Sequence, residues 1–375
     1  MRALFRLLIS FAIALAVLGA AAHAQVATIV IPAGSPADQA LQQINAEQDA
    51  AKKFADFQGF VQKFASDPEA AAYGYWQLAQ IESTSKHYQQ SLAYGDQALA
   101  LEPHSLEILS MQADSAEQLK QLPKVFEYAT KGAALYHGID RQPAPANLNA
   151  QDWASQKRDD RAANQPSYDY LQALAYNVIA AEQQPQKRME YIEKFNSAFP
   201  DSKYQDQVSE YAILTLQSLN DPTSAAAYGE AVLAEKPNDL PTLLMMADLY
   251  VQSRDPDLAK GIAYAQRAIE AADASAKDAD SRRKLSAGLA HADLGFALFK
   301  ENKFSAAIPE LRQAAAFLRS SPATNGRVLY ALGQSYTRLA QYAAARDYLA
   351  QAADIPGPAQ APARQLLADI NKSRH

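Results

Sequence analysis

LGFALFKENKFSAAIPELRQAAAF, from Leu294 to Phe317, and LGQSYTRLAQYAAARDYLAQAA, from Leu332 to Ala353, are two copies of one pattern. LAQIESTSKHYQQSLAYGDQALALEP, from Leu78 to Pro103, is a third. Each holds apolar residues at helical spacing, a short polar break, and a second apolar helical run. In the first two copies Leu-Gly is followed by Ala307 and Ala345 at one fixed spacing, then by Ala314 and Ala352 at another. The third copy has Leu78-Ala79, Ser91 and Ala98 at the same spacings. Small side chains at fixed places let helix axes approach within roughly 8–10 Å. Aromatic residues stand at the breaks, Tyr88, Phe304 and Tyr342, and are expected to plug the space between the two helices of a pair.

The pattern extends outward with looser matches. Leu106 to Leu135 keeps Ala113 and Ala129. Tyr211 to Pro237 keeps Asn220 and Asp221 in the turn and Ala225 after it. Leu243 to Ala271 keeps Ala247 and Tyr250, with a turn lengthened by Ser253-Arg254-Asp255-Pro256. Tyr168 to Pro200 and Ala37 to Pro68 are the least regular copies. The arrangement resembles the tetratricopeptide repeat, whose pattern is a large residue, Leu-Gly, Tyr, Ala, an aromatic or Leu, Ala and Pro over about 34 residues. The resemblance implies an all-α chain: a right-handed α-solenoid of about eight antiparallel helix pairs with a C-terminal capping helix.

The first residues, MRALFRLLISFAIALAVLGAAAHAQ, carry Arg2 and Arg6, an apolar run, and Ala22-His23-Ala24. They read as a signal peptide over residues 1–24, cleaved before Gln25, and the rival reading is a membrane anchor. The expected destination is export, to the periplasm before the extracellular space. With no cysteine in the chain, lipoprotein attachment, disulfides and thiolate metal sites are excluded. Formal net charge is −6, and −8 without the two signal arginines, which argues against nucleic acid as a partner. No transmembrane segment is expected after the signal.

Residues 25–35, QVATIVIPAGS, read as an extended N-terminal arm. Ser35-Pro36-Ala37-Asp38 starts a helix: a cap, a proline at the first position, and an acid in the first turn. Repeats are expected over 36–136 and 166–358, separated by an insert at 137–165. The insert opens with the breakers Pro143 and Pro145, then becomes helical from a cap at Asn149. It carries Trp153, read either as a recognition element or as a residue tucked against a neighbouring helix. Residues 359–375 are expected to form the capping helix, because the last apolar face would otherwise meet water.

Chemistry is thinly represented. His87, His104, His137, His291 and His375 fall at no metal-binding spacing, and no phosphate-binding glycine loop or nucleophile elbow occurs. No catalytic residue, metal or cofactor is therefore assigned. Asp159-Asp160 and Glu190/Glu193 read as solvated helix charges. The resemblance implies instead that the first helix of each pair lines a concave face. Carried over copy by copy, the groove positions are Trp76 and Gln80; Ser110 and Asp114; Asp248 and Gln252, with Leu244; Phe296 and Lys300; and Tyr330, Gln334 and Arg338. Aromatic and amide groups in a groove suit an extended peptide or a helix. Gln80 and Asp114 stand where some family members place groups that grip a terminal carboxylate, which disfavours that mode here.

EYIEKFNSAFPDSKY, from Glu190 to Tyr204, and FVQKFASDPEAAAYGYWQLA, from Phe60 to Ala79, resemble helical-repeat proteins of the bacterial envelope. The expectation is a non-catalytic scaffold of the cell envelope that binds a protein or peptide and serves in envelope or complex assembly. Its rivals are an enzyme with a site in the groove or insert, and a structural spacer in a larger complex.

Overall fold

The computed structural model describes residues 26, 29–254, 256–276 and 279–372. The expected signal peptide lies outside the described residues. Among those residues are seventeen α-helices, two short 3-10 turns and no strand. The chain divides into two compact units, residues 1–175 and 176–375.

In the N-terminal unit α1 (Pro36–Ala46) packs on α2 (Ala50–Lys63), α3 (Pro68–Thr84) on α4 (Tyr88–Leu101), and α5 (Leu106–Gln118) on α6 (Leu122–Gly138). Phe57, Phe60 and Leu78 form the first core, and Leu106, Ile108, Leu109 and Phe126 continue the apolar interior. Each large apolar side chain so buried contributes roughly 1.5–3 kcal/mol. Ile31 packs against the first core, whereas Val30 is exposed. α7 (Ala150–Ala181) begins in this unit, and the division falls between Ala175 and Tyr176.

The C-terminal unit holds α8 (Pro185–Ala198), α9 (Gln205–Ser218), α10 (Pro222–Glu235), α11 (Leu240–Gln252), α12 (Leu258–Ala272), α13 (Ser281–Lys300), α14 (Phe304–Phe317), α15 (Pro322–Arg338), α16 (Tyr342–Asp354) and α17 (Gln360–Lys372). α9 packs on α10, α11 on α12, α13 on α14 and α15 on α16; α17 lies against α16 and α15. Ala363 and Ile370 of α17 join a core with Leu311, Leu332 and Leu349, so the last helix finishes the stack as a cap.

Helix starts follow the sequence. Ser35 accepts the Asp38 amide at 3.1 Å, Asp67 the Ala70 amide at 3.1 Å and Asp239 the Thr242 amide at 3.0 Å, each satisfying an amide that has no partner within its helix. Helix ends follow a second rule. Lys86, Lys120, Asn220, Asn302 and Ala340 close the first helix of five pairs with positive φ between 55° and 63°. At Asn302 its own amide donates to the Phe299 carbonyl at 2.9 Å, and the Lys303 amide donates to that of Leu298 at 2.9 Å. Ala340 and Gln341 repeat this on Thr337 and Tyr336, at 3.0 and 2.9 Å. This left-handed closure consumes the last carbonyls of the helix and reverses the chain tightly.

The small-residue positions prove to be close approaches. A Cβ on Gly295 would lie 2.6 Å from the Leu311 side chain, and one on Gly333 would lie 2.5 Å from that of Leu349. Ala98, Ala307, Ala314, Ala345 and Ala352 are fully buried. The aromatics at the breaks are less uniform than expected. Phe304 packs edge-on against Phe299 at 5.3 Å, but Tyr342 is 49% exposed and plugs nothing. The first residue of α16 points outward, and Leu349 and Ala345 fill the interior there instead.

The segment that interrupts the pattern behaves in part as its composition indicates. Residues 143–149 form no helix, and Asn149 accepts the Asp152 amide at 2.9 Å to start α7. The helix then runs straight through Pro166 rather than stopping before it. Residues on both sides of the proline grip one ring of α6. Tyr168 stacks on Tyr136 at 4.2 Å, the Arg161 guanidinium lies 4.7 Å over the same ring, and the Tyr136 hydroxyl donates to Gln165. Pro166 itself is exposed, so water reaches the carbonyl whose helical partner it lacks. Trp153 is buried and its indole donates to the Gln142 carbonyl at 3.3 Å, which is the tucked-in arrangement and not a presented one.

Candidate functional site

In the C-terminal unit the first helices of successive pairs touch in a row: α9 with α11, α11 with α13, α13 with α15, and α15 with α17. The second helices instead pack on the first helix of the next pair, α10 on α11, α12 on α13 and α14 on α15. A row whose members touch one another forms the shorter, inner side of a stack, so the first helices supply the concave face of this unit.

On that face α13 and α15 and the start of α17 enclose a pocket of about 310 Å³. Gln252, Phe296, Lys300, Tyr330 and Gln334, five of the positions carried over by resemblance, line it together. Phe299, Arg327, Ala331, Pro358, Ala359 and Pro362 complete the lining. The Arg327 guanidinium lies 5.3 Å over the Phe296 ring. The Lys300 ammonium donates to the Val251 carbonyl at 2.5 Å, near the end of α11. The Gln334 amide donates to the Tyr330 hydroxyl at 3.1 Å, one turn away on the same helix. Arg338 is exposed one further turn along α15, outside the pocket lining.

Two carboxylates feel the charge of Arg327. Asp293 is buried, and burial first, then the charge of Asp248, holds its carboxyl well above the ordinary aspartate range, with Arg327 pulling it down. Asp248 is raised by the protein packed about it and lowered by Arg327 and Lys300. Its side chain is exposed, whereas that of Asp293 is buried. Neither Asp293 nor Arg327 is among the positions carried over by resemblance. Each lies three residues before one that is, Phe296 and Tyr330, and so shares its helix face. That spacing is the signal in the sequence that points to them.

A second, wider cavity of about 1020 Å³ lies beside the lengthened turn after α11. At its wall the Tyr250 hydroxyl donates to Glu230 at 2.9 Å, and the Lys260 ammonium donates to Glu230 at 3.1 Å and to Tyr250 at 3.2 Å. These three groups satisfy one another.

The carried-over positions of the N-terminal unit meet separate partners. Trp76 is half-buried, meets Tyr73 edge-on at 5.7 Å, and has a buried indole N–H that meets no acceptor among the described residues. Gln80 is half-buried one turn on. The Ser110 hydroxyl donates to the Leu106 carbonyl of its own helix at 2.8 Å, and Asp114 accepts the Tyr170 hydroxyl at 2.7 Å. Those bonds leave Ser110 and Asp114 partly occupied. Among the described residues no group of histidine and acidic side chains could hold a metal ion, and no helix is long and apolar enough to cross a membrane.

Residues 326–356, covering most of α15 and all of α16, match the family model described as Tetratricopeptide repeat. No curated protein matches the sequence. Among solved structures, a thermophilic TPR protein of Thermus thermophilus is 20% identical, with 53% of this chain and 95% of that one covered and a TM-score of 0.34. The Cut9–Hcn1 hetero-tetramer of the APC/C is 13% identical over 89% of this chain and 62% of that one, with a TM-score of 0.43. The TPR domain of P58(IPK) is 13% identical over 90% of this chain and 98% of that one, with a TM-score of 0.32. The present chain spans about six-tenths of the APC/C chain it matches.

Proposed function

Because residues 326–356 match the tetratricopeptide-repeat model and the described residues form a stack of helix pairs, we propose that this chain is a non-catalytic scaffold that binds a protein or peptide on the concave face of its first helices. The observation that carries this reading is the convergence of Gln252, Phe296, Lys300, Tyr330 and Gln334 on one open pocket. Rings, amides and two cations suit a polypeptide that brings both apolar and polar groups. The lining contains no nucleophile set beside a base, so binding is better supported than turnover.

Export and a place in envelope or complex assembly belong to the same proposal. They are supported by the arginine–apolar–Ala-x-Ala start of the sequence and by the envelope-like phrases at 60–79 and 190–204. The test is affinity capture from envelope extract with wild-type protein and with a Tyr330→Ala, Gln334→Ala double variant, read by mass spectrometry. A partner enriched by the wild type and lost by the variant is expected. Identical captures from both would remove the groove from the function. Cell fractionation tests export, and a protein retained in the cytoplasm with residues 1–24 intact would end that part of the reading.

A further inference from the structure

The pocket on α13 and α15 is more particular than a general groove, and its assignment to a partner rests on the groove reading above. Its floor and sides are carbon: Phe296, Phe299, Tyr330 and Ala331, faced by Pro358 and Pro362 at the start of the cap. Its volume of about 310 Å³ is at the lower end of ligand-sized pockets, roughly 300–1,000 Å³, which suits one large side chain with its flanking backbone.

The charge at the rim is set by four groups. Lys300 and Arg327 bring two positive charges, and among the described residues neither meets a carboxylate at ion-pair distance. Asp248 is the one exposed carboxylate beside them, and Asp293 is buried with its carboxyl held above the ordinary aspartate range. A positive excess therefore remains beside an apolar cup, in a chain whose net charge is −6. Lys300 is tied back to the Val251 carbonyl, whereas the Arg327 guanidinium rests on Phe296 at an exposed position. A stacked guanidinium is pre-oriented for a carboxylate. Beyond the pocket the polar row continues along α15 through Gln334 to Arg338, so a bound chain has a path onward past Arg327.

We propose that this pocket seats one large apolar side chain from within a partner polypeptide, and that an aspartate or glutamate next to it in the partner pairs with Arg327. The cup supplies affinity by removing an apolar side chain from water, and Arg327 supplies the choice of neighbour.

The test is selection of a random heptapeptide library, displayed inside a carrier loop, on the purified protein, followed by fluorescence anisotropy of the selected peptides with capped ends. Enrichment of a large apolar residue next to an acid is expected. Arg327→Glu, at an exposed position, should weaken those peptides by about ten-fold or more, the scale of a hydrogen bond to a charged group. Replacing the peptide's acid by lysine should restore binding to Arg327→Glu and abolish it on the wild type. Phe296→Ala should weaken both peptides alike. Selected peptides that lack the pair, or that ignore Arg327→Glu while still losing affinity with Gln334→Ala, would overturn the inference and leave the groove reading standing. A library that yields no binder sensitive to any residue of the concave face would overturn both.

Discussion

The Asp293 carboxyl is buried on the inner helix row, where the charge of Asp248 adds to the effect of burial and Arg327 opposes it. Burial lifts its pKa above the ordinary 3.8, so the folded protein binds a proton that the unfolded chain releases. Stability contributed by this proton is complete below about pH 3.8 and is lost as pH rises through the raised value. Asp293→Asn carries the neutral form permanently. It should raise the urea midpoint at pH 7 and leave it unchanged near pH 4; an equal shift at both values, or a lower midpoint at pH 7, would contradict the assignment. Trp76 poses a different question. It is half-buried against Tyr73, with an indole N–H that has no protein acceptor among the described residues. As a partner anchor, Trp76→Ala should cost about 2 kcal/mol or more in binding. Its folding cost should stay below the roughly 3–5 kcal/mol of a core tryptophan. Parallel melting and binding curves decide between the roles: an early melt with retained binding assigns Trp76 to packing.

Helix α7 shows where local rules and the fold part company. A proline inside a helix costs about 3 kcal/mol, and by that rule Pro166 should stand at the end of the insert. The grip of Arg161, Gln165 and Tyr168 on the Tyr136 ring spans Pro166 and holds the helix through it. Pro166→Ala should therefore stabilise the protein, by roughly 1–2 kcal/mol in chemical denaturation, since it restores a helix bond without touching the grip. A loss of stability would mean that the proline sets the angle at which Tyr168 meets Tyr136. The regular pairs are legible in the sequence because their determinants are local: Gly295 and Gly333 sit against Leu311 and Leu349 at one spacing, and capping serines and aspartates precede helix starts. What is not legible depends on residues distant in sequence. Pro358 and Pro362 join Phe296 only when the cap folds back, and Asp114 is engaged by Tyr170 of another helix.

At the scale of the whole molecule, the cap has two duties in the C-terminal unit. Ala363 and Ile370 cover the apolar face of α15 and α16, and Pro358 and Pro362 wall the pocket. Removal of residues 359–375 should expose that face and cause concentration-dependent association, seen by light scattering on gel filtration. A truncated protein that stays monomeric with an unchanged melt would show that α17 is dispensable to the core. The helix turns set a further limit, on where foreign sequence can enter. Five pairs are closed by a single left-handed residue whose neighbouring amides are already committed to carbonyls of the helix before it. An inserted segment there would draw Lys303 off Leu298 or Gln341 off Tyr336 and part the two helices. Between Ala146 and Asn147 the backbone is exposed and belongs to no helix; an insertion there opens one turn bond, from the Leu148 amide to the Pro145 carbonyl, and lengthens the loop spanned by the Trp153–Gln142 bond, while the Asn149 cap on Asp152 lies wholly after the cut. That junction is where a fluorescent domain or an epitope can be grafted to follow the protein in a living cell while each helix pair keeps its own turn.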